Sequence, residues 1–300
     1  MADDKLQQKR IERVNKLVAE SMAMEAEAAR EAGALGFMAR ALVQATMPHK
    51  ACPGAAFVRK NGAFTLTLLS PPQIGLPYGA LPRLLVAWVT TEAVRIGERR
   101  IVLGDNLSGF MRELGLVPTG GRWGTVGRIK GQMRRLFASS VSCTYDDPNH
   151  WAMTSVKIVE HADLWWNPKN PDQGALFEST LILGESFFTE AIEHPVPVDM
   201  RALRSLRQSP MALDIYCWLT YRMSYLSKPT LIPWFALEAQ FGADYTRPRA
   251  FREAFLQHLK AVLVVYPGAN VEPLLDGLEL RPSPTHVAPA APLGLRRGGG

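Results

Sequence analysis

No disulfide framework can be drawn from this chain. Its three cysteines, Cys52, Cys143 and Cys217, are odd in number, widely separated and outside any C-x-x-C pairing, so a cysteine-rich zinc site is excluded as well. Such a chain suits a reducing compartment, and a cytoplasmic protein is expected. Long hydrophobic runs are also missing. The most apolar stretches, residues 81–89 and 211–226, are too short or carry Asp214 and Arg222, and neither makes a membrane span. Residues 1–30 alternate in charge and lack the apolar centre of a signal peptide.

Catalytic signatures are equally scarce. Neither H-x-H nor H-E-x-x-H occurs, and His150 and His161 stand too far apart in sequence to form the metal pair of a nickase. Residues 115–121 have the glycine spacing of a phosphate loop, but Arg122 and Trp123 occupy the positions that need Lys and Ser or Thr. Asp146-Asp147 beside Pro148 reads as a turn. No enzymatic activity, metal or cofactor is expected.

What is present is the composition of a folded protein: 47% of residues are hydrophobic and 21% charged, and 300 residues suffice for two domains with separate cores. The net charge is +6, modest for this length, so its distribution matters more than its sum.

The local pattern predicts an α+β chain with five parts. Residues 1–32 form an amphipathic helical arm, either solvated or set against DNA or another subunit. Residues 33–78 hold a helix over 37–46, ended by Pro48, then a β-hairpin around Asn61-Gly62. Residues 79–168 read as helix, short strand at 100–103, helix at 107–114 stopped by Gly115, long helix at 125–139, and two strands, 141–145 and 152–160. That order is a winged helix-turn-helix. It recurs in residues 175–286, where Cys217-Trp218-Leu219-Thr220 echoes Ala87-Trp88-Val89-Thr90 and residues 247–262 echo the long helix. A Pro/Asn-rich connector at 165–174 joins the two units. From Arg281 onward Pro, Ala and Gly dominate, and residues 287–300 form a disordered tail.

The long helix of the first unit carries the clearest chemical signal. Val126, Ile129, Met133, Leu136 and Phe137 fall on one side of a helical wheel, and Arg128, Gly131, Gln132 and Arg135 on the other. Arg122, Lys130 and Arg134 flank them, and no acidic residue lies between Gly115 and Tyr145. An uninterrupted cationic face suits the major groove, where Arg pairs with guanine and Gln with adenine. The plainer reading is a solvated basic surface. In the second unit Phe251, Phe255, Leu259 and Val262 form the core face. Arg247, Arg249, Arg252, Gln257 and Lys260 are the candidate contacts there, with Glu253 making that face mixed in charge. His258 reads as a satisfied core histidine. Arg201, Arg204 and Arg207 recur every third residue and either track phosphates or cap a helix.

Several strings resemble the plasmid-encoded RepA family of replication proteins. They are residues 36–49, Gly75-Leu-Pro-Tyr-Gly79 with Pro82-Arg-Leu-Leu85, residues 110–116 followed by Thr119-Gly-Gly-Arg-Trp-Gly-Thr125, residues 213–222, and Gln240-Phe-Gly242 through Phe251. The resemblance implies an initiator that binds repeated sequences in double-stranded origin DNA, helps open nearby duplex and brings in host replication proteins. It also implies repression of its own promoter, at times as a homodimer. Two rivals remain at this stage: a winged-helix transcriptional repressor without a replication role, and a protein-interaction scaffold.

Overall fold

The computed structural model describes residues 34–44, 46–122, 124–167, 169–242, 245 and 247–287, together with Glu12 and Leu17. The helical arm expected over residues 1–32 lies outside these residues apart from those two positions. The tail beyond Val287 lies outside them too. Within them the fold is α+β, with antiparallel sheets.

The first described segment differs from its local pattern. Where a helix is expected over 37–46, the chain forms strand β1 (Leu35–Ala39) and then a short helix α1 (Arg40–Gln44). The reason is tertiary: β1 pairs antiparallel with β9 (Pro195–Asp199), and an interleaved burial pattern hides Met38, Val196 and Val198. The next expectation holds with a shift of one residue. Strands β2 (Ala56–Asn61) and β3 (Phe64–Leu69) close on Gly62-Ala63, with Asn61 paired to Phe64 and Gly62 at φ 60°.

Two copies of one element order follow, apart from a hairpin at residues 140–157 that interrupts the first. The first runs α2 (Ala80–Ile96), β4 (Arg100–Val102), α3 (Leu107–Glu113), α4 (Thr125–Phe137), β7 (Val159–Asp163) and β8 (Thr180–Leu183). The second runs α7 (Pro210–Met223), β10 (Thr230–Pro233), α8 (Trp234–Phe241), α9 (Pro248–Val265), β11 (Val271–Pro273) and β12 (Gly277–Leu280). Their sheets share a topology, β4-β8-β7 and β10-β12-β11, in which the first strand pairs with the third and the third with the second. Ends are set locally. Asn106 Oδ1 accepts from Gly109 N–H at 2.8 Å to start α3, Ser209 Oγ accepts from Ala212 N–H at 3.1 Å to start α7, and Pro248 enters the first turn of α9.

The hairpin expected as the wing of the first unit does something else. Strands β5 (Ser140–Asp147) and β6 (His150–Lys157) turn at Pro148-Asn149 as expected, but β5 pairs with β3, giving a four-stranded sheet β2-β3-β5-β6. Buried Leu66 and Leu68 face Cys143 and Val141 in that register, so side-chain burial decides the partner. The first sheet is completed instead by β8, whose Leu181 sits opposite Ile101, both fully buried. Residues 165–174 therefore lie in the loop between β7 and β8 and do not separate the two units. The passage to the second unit is α5 (Glu185–Glu193), β9 and α6 (Met200–Leu206). Residues 281–287 are packed as well: Tyr216 Oη and His286 Nδ1 are 2.7 Å apart, and Val287 is buried.

One buried ionic cluster joins the units. Arg83 on α2 is 2% exposed and Asp214 on α7 is 8% exposed. Arg83 Nε donates to Asp214 Oδ1 and its Nη2 to Oδ2, both at 2.7 Å. Its remaining N–H groups reach the carbonyls of Met47 at 2.7 Å, Pro48 at 3.2 Å and Gly79 at 2.6 Å, so all the donors of the guanidinium are used. Gly79, at φ 78° and ψ −163°, takes a backbone conformation open to glycine alone and so turns its carbonyl onto Arg83. His49 Nε2 bonds the second carboxylate oxygen at 2.8 Å. Around the cluster the core of both units is continuous, from Leu66 and Phe110 to Tyr216 and Phe255.

Burial opposes ionisation of Asp214, but the Arg83 guanidinium and the His49 hydrogen bond outweigh it and hold the carboxyl below its ordinary value. His49 is lowered, because burial outweighs its bond to Asp214. An imidazole depressed by folding binds fewer protons folded than unfolded, so its stabilising effect is complete above about pH 6.5 and is lost as pH falls below it. Urea midpoints should therefore drop between pH 7.5 and 5.5. His49→Gln should reduce that drop, leaving the part due to His286, which burial lowers in the same sense. Asp214→Asn should cost about 3–5 kcal/mol at pH 7, since it strands a buried guanidinium.

Candidate nucleic-acid interface

Helix α4 begins on a tightly folded turn. Thr119 Oγ1 accepts from Thr125 N–H at 3.0 Å, while Thr125 Oγ1 accepts from Thr119 N–H at 2.9 Å and donates to Val117 O at 2.6 Å. Gly124 sits between them, and a Cβ there would lie 2.2 Å from Thr119 O. These bonds fix where the helix starts and leave Gly120, Gly121 and Arg122 exposed at its mouth. Val126, Ile129, Met133, Leu136 and Phe137 are buried as the wheel requires.

The polar side of α4 divides in a way the wheel does not. Arg128, Lys130 and Arg134 are exposed, and among the described residues no ion pair engages them. Gln132 is not outward as expected. It is 7% exposed, and its Oε1 accepts from Tyr78 N–H at 3.0 Å. Arg135 is half-buried, with Nη1 donating to Leu76 O at 3.2 Å and its guanidinium 5.5 Å from the Tyr78 ring centre. These two side chains brace α4 against residues 76–78. Because all the donors of Arg83 are taken within its own cluster, the brace and the cluster meet through the backbone of residues 78–79.

In the second unit the candidates also divide. Phe251, Phe255, Leu259 and Val262 are buried. Arg249 is paired with Glu253 at 2.9 Å. Arg252 donates to Leu274 O and Leu275 O at 3.1 and 3.3 Å and lies over Trp234, tying α9 to the β11–β12 turn. Arg247, Gln257 and Lys260 are exposed. His258 is half-buried with Nδ1 3.1 Å from Ser209 Oγ.

The arginine triplet separates by role. Arg201 is paired with Asp199 at 2.7 Å and Arg204 donates to Glu113 O at 2.7 Å, so both hold structure. Arg207 faces a cleft of about 650 Å³ whose other wall is α4, with Arg128, Gly131, Gln132 and Arg135 lining it. Sequence reasoning placed Arg207 in a basic cluster but missed that it lies across from α4; a three-residue spacing alone does not separate the three roles. The α9 candidates do not line this cleft.

Other chemistry finds little footing. Burial pushes the Cys143 thiol up to about 11 and raises Cys217 further. Among the described residues no group of His, Cys, Asp or Glu could hold a metal ion, and no helix is long and apolar enough to cross a membrane.

The model of a family described as plasmid-encoded RepA protein matches residues 76–233, just over half the chain. The fold is similar to that of domains 2 and 3 of RctB: a crystal structure of their selenomethionine derivative aligns with TM-score 0.53 and 9% identity, over 80% of this chain and 97% of that one. A second crystal structure, of RctB residues 155–483, aligns with TM-score 0.49 and 11% identity over 80% and 96%. No curated protein sequence matches the chain.

Arg134 and Arg135 should differ in their effect on stability. Arg135→Ala should cost about 1–2 kcal/mol in urea unfolding, through the lost carbonyl bond and ring contact. Arg134→Ala should stay within about 0.5 kcal/mol.

Proposed function

The chain belongs to the plasmid-encoded RepA family, and on that footing we propose that it is a plasmid replication initiator. It is a non-enzymatic, cytoplasmic protein that binds repeated sequences of duplex origin DNA through two winged helices, one centred on α4 and one on α9. The recurrent element order and the shared sheet order support the winged-helix reading. In that reading α4 and α9 are the helices that approach a major groove, and residues 164–179 and 274–276 are the wings.

The observation that carries the DNA reading is that Arg128, Lys130 and Arg134 are all exposed on α4, on either flank of its outward side, with no ion pair among the described residues engaging them. Polyanion binding rests on such unneutralised cations, which displace condensed counterions from phosphates. The wings present Leu176, Phe177 and Leu275 outward and a single exposed cation, Lys169, so most of the neutralisation falls to the helices. Arg135 and Gln132, each held by the 76–78 segment, position α4; base reading falls to Arg128 and the exposed residues around it. Host replication proteins are the partners engaged after DNA. Repression of its own promoter, with a homodimer as the repressing form, uses the same grip.

Fluorescence titration on duplexes carrying the origin repeats tests this reading. Affinity should fall linearly in log–log form with salt, and Lys130→Ala or Arg134→Ala should each reduce the slope by about one without favouring any sequence. Binding that is absent or indifferent to salt would contradict it.

A further inference from the structure

The cleft beside α4 is built by both repeats, and nothing in the account above uses its far wall. Arg128 and Arg135 stand on the α4 side, and Arg207 on the side of the α6–α7 junction. No Asp or Glu lines it. Arg207 Nη1 donates to Arg204 O, which orients the side chain, and no ion pair among the described residues engages it.

The α4 wall is also unusually bare. Gly127 and Gly131, one turn apart, line the cleft, and a Cβ at either would meet no atom within 4 Å. Glycine inside a helix costs stability relative to alanine, and packing does not require it here. The bare wall lets a ligand approach the helix backbone closely. Helix α2 opens on the same space. Its first residues, Ala80 and Leu81, line the cleft, and its N-terminus has no side-chain cap, so its amide end adds to the positive field.

We propose that this cleft is a phosphate-binding site to which the α6–α7 junction, at the entry to the second repeat, contributes Arg207. Its ligand is a phosphate of nucleotide chemistry, supplied either by the sugar-phosphate backbone of DNA or by a free nucleoside triphosphate. A volume near 650 Å³ accommodates either. The backbone source rests on the DNA-binding reading of α4; the free-nucleotide source does not.

The test uses the full chain with two probes: a duplex carrying the origin repeats, titrated across salt, and a fluorescent ATP analogue, titrated without DNA. If DNA supplies the phosphate, Arg207→Gln lowers the salt slope by about one. If a free nucleotide does, Arg207→Gln weakens binding of the analogue by tenfold or more, on the order of one charge-assisted contact. Gly131→Glu, whose Cβ enters open space, sets a carboxylate in the cleft and should abolish binding of the responsive probe while the thermal midpoint holds. The proposal is overturned if Arg207→Gln leaves both titrations unchanged, or if folded Gly131→Glu binds both probes like the parent. Lys130→Ala, outside the cleft, separates the two ideas: a lower slope there with no effect of Arg207→Gln keeps the DNA reading and removes the cleft.

Discussion

The Arg83–Asp214 pair is the constraint on which the rest of the arrangement depends. A guanidinium and a carboxylate taken out of water carry a large desolvation cost, recovered only when geometry is good and every remaining donor finds an acceptor. Here the two long helices that open the repeats supply the charges, and the 47–49 segment and Gly79 supply the remaining acceptors. Neither repeat can satisfy its half of the cluster alone. The cluster therefore fixes α2 against α7, and with it the two units relative to each other.

That constraint reaches the candidate interface through adjacent residues. Gly79, held by Arg83, is followed by the start of α2 and preceded by Tyr78, whose N–H is capped by Gln132 and whose ring lies under Arg135. The position of α4 is thus set from the inter-repeat cluster outward. The placement of its exposed cations follows from that, as does the separation of α4 from Arg207 across the cleft. Gln132 and Arg135, on the polar side of the wheel, hold the helix to residues 76–78, and Arg128, Lys130 and Arg134 are left exposed beside them.

Much of this was legible in sequence, and the exceptions share a cause. The helices α2, α3, α4, α7 and α8 show their periods and their glycine or cap signals locally, and the repeat was visible because its order of elements survives without sequence identity. Hairpin partners were visible, as β2 with β3 and β5 with β6, but long-range strand partners were not. Residues 35–39 sit among helix formers and become a strand only because β9 lies alongside, while the β5–β6 hairpin looks like a wing until β3 claims it. Gln132 shows the same limit at the site: a polar residue on a wheel's polar side was read as outward, yet a backbone N–H from residue 78 draws it inward. Long-range pairing and buried polar satisfaction leave no periodic trace.

The central claim, that two locked winged helices grip origin DNA together, is tested most directly by a hydroxyl-radical footprint of the full chain across the replication origin of its own plasmid. The account predicts repeated protected sites, each covering two neighbouring grooves on one face of the duplex about 10 bp apart. Protection no different from that on unrelated DNA would contradict it.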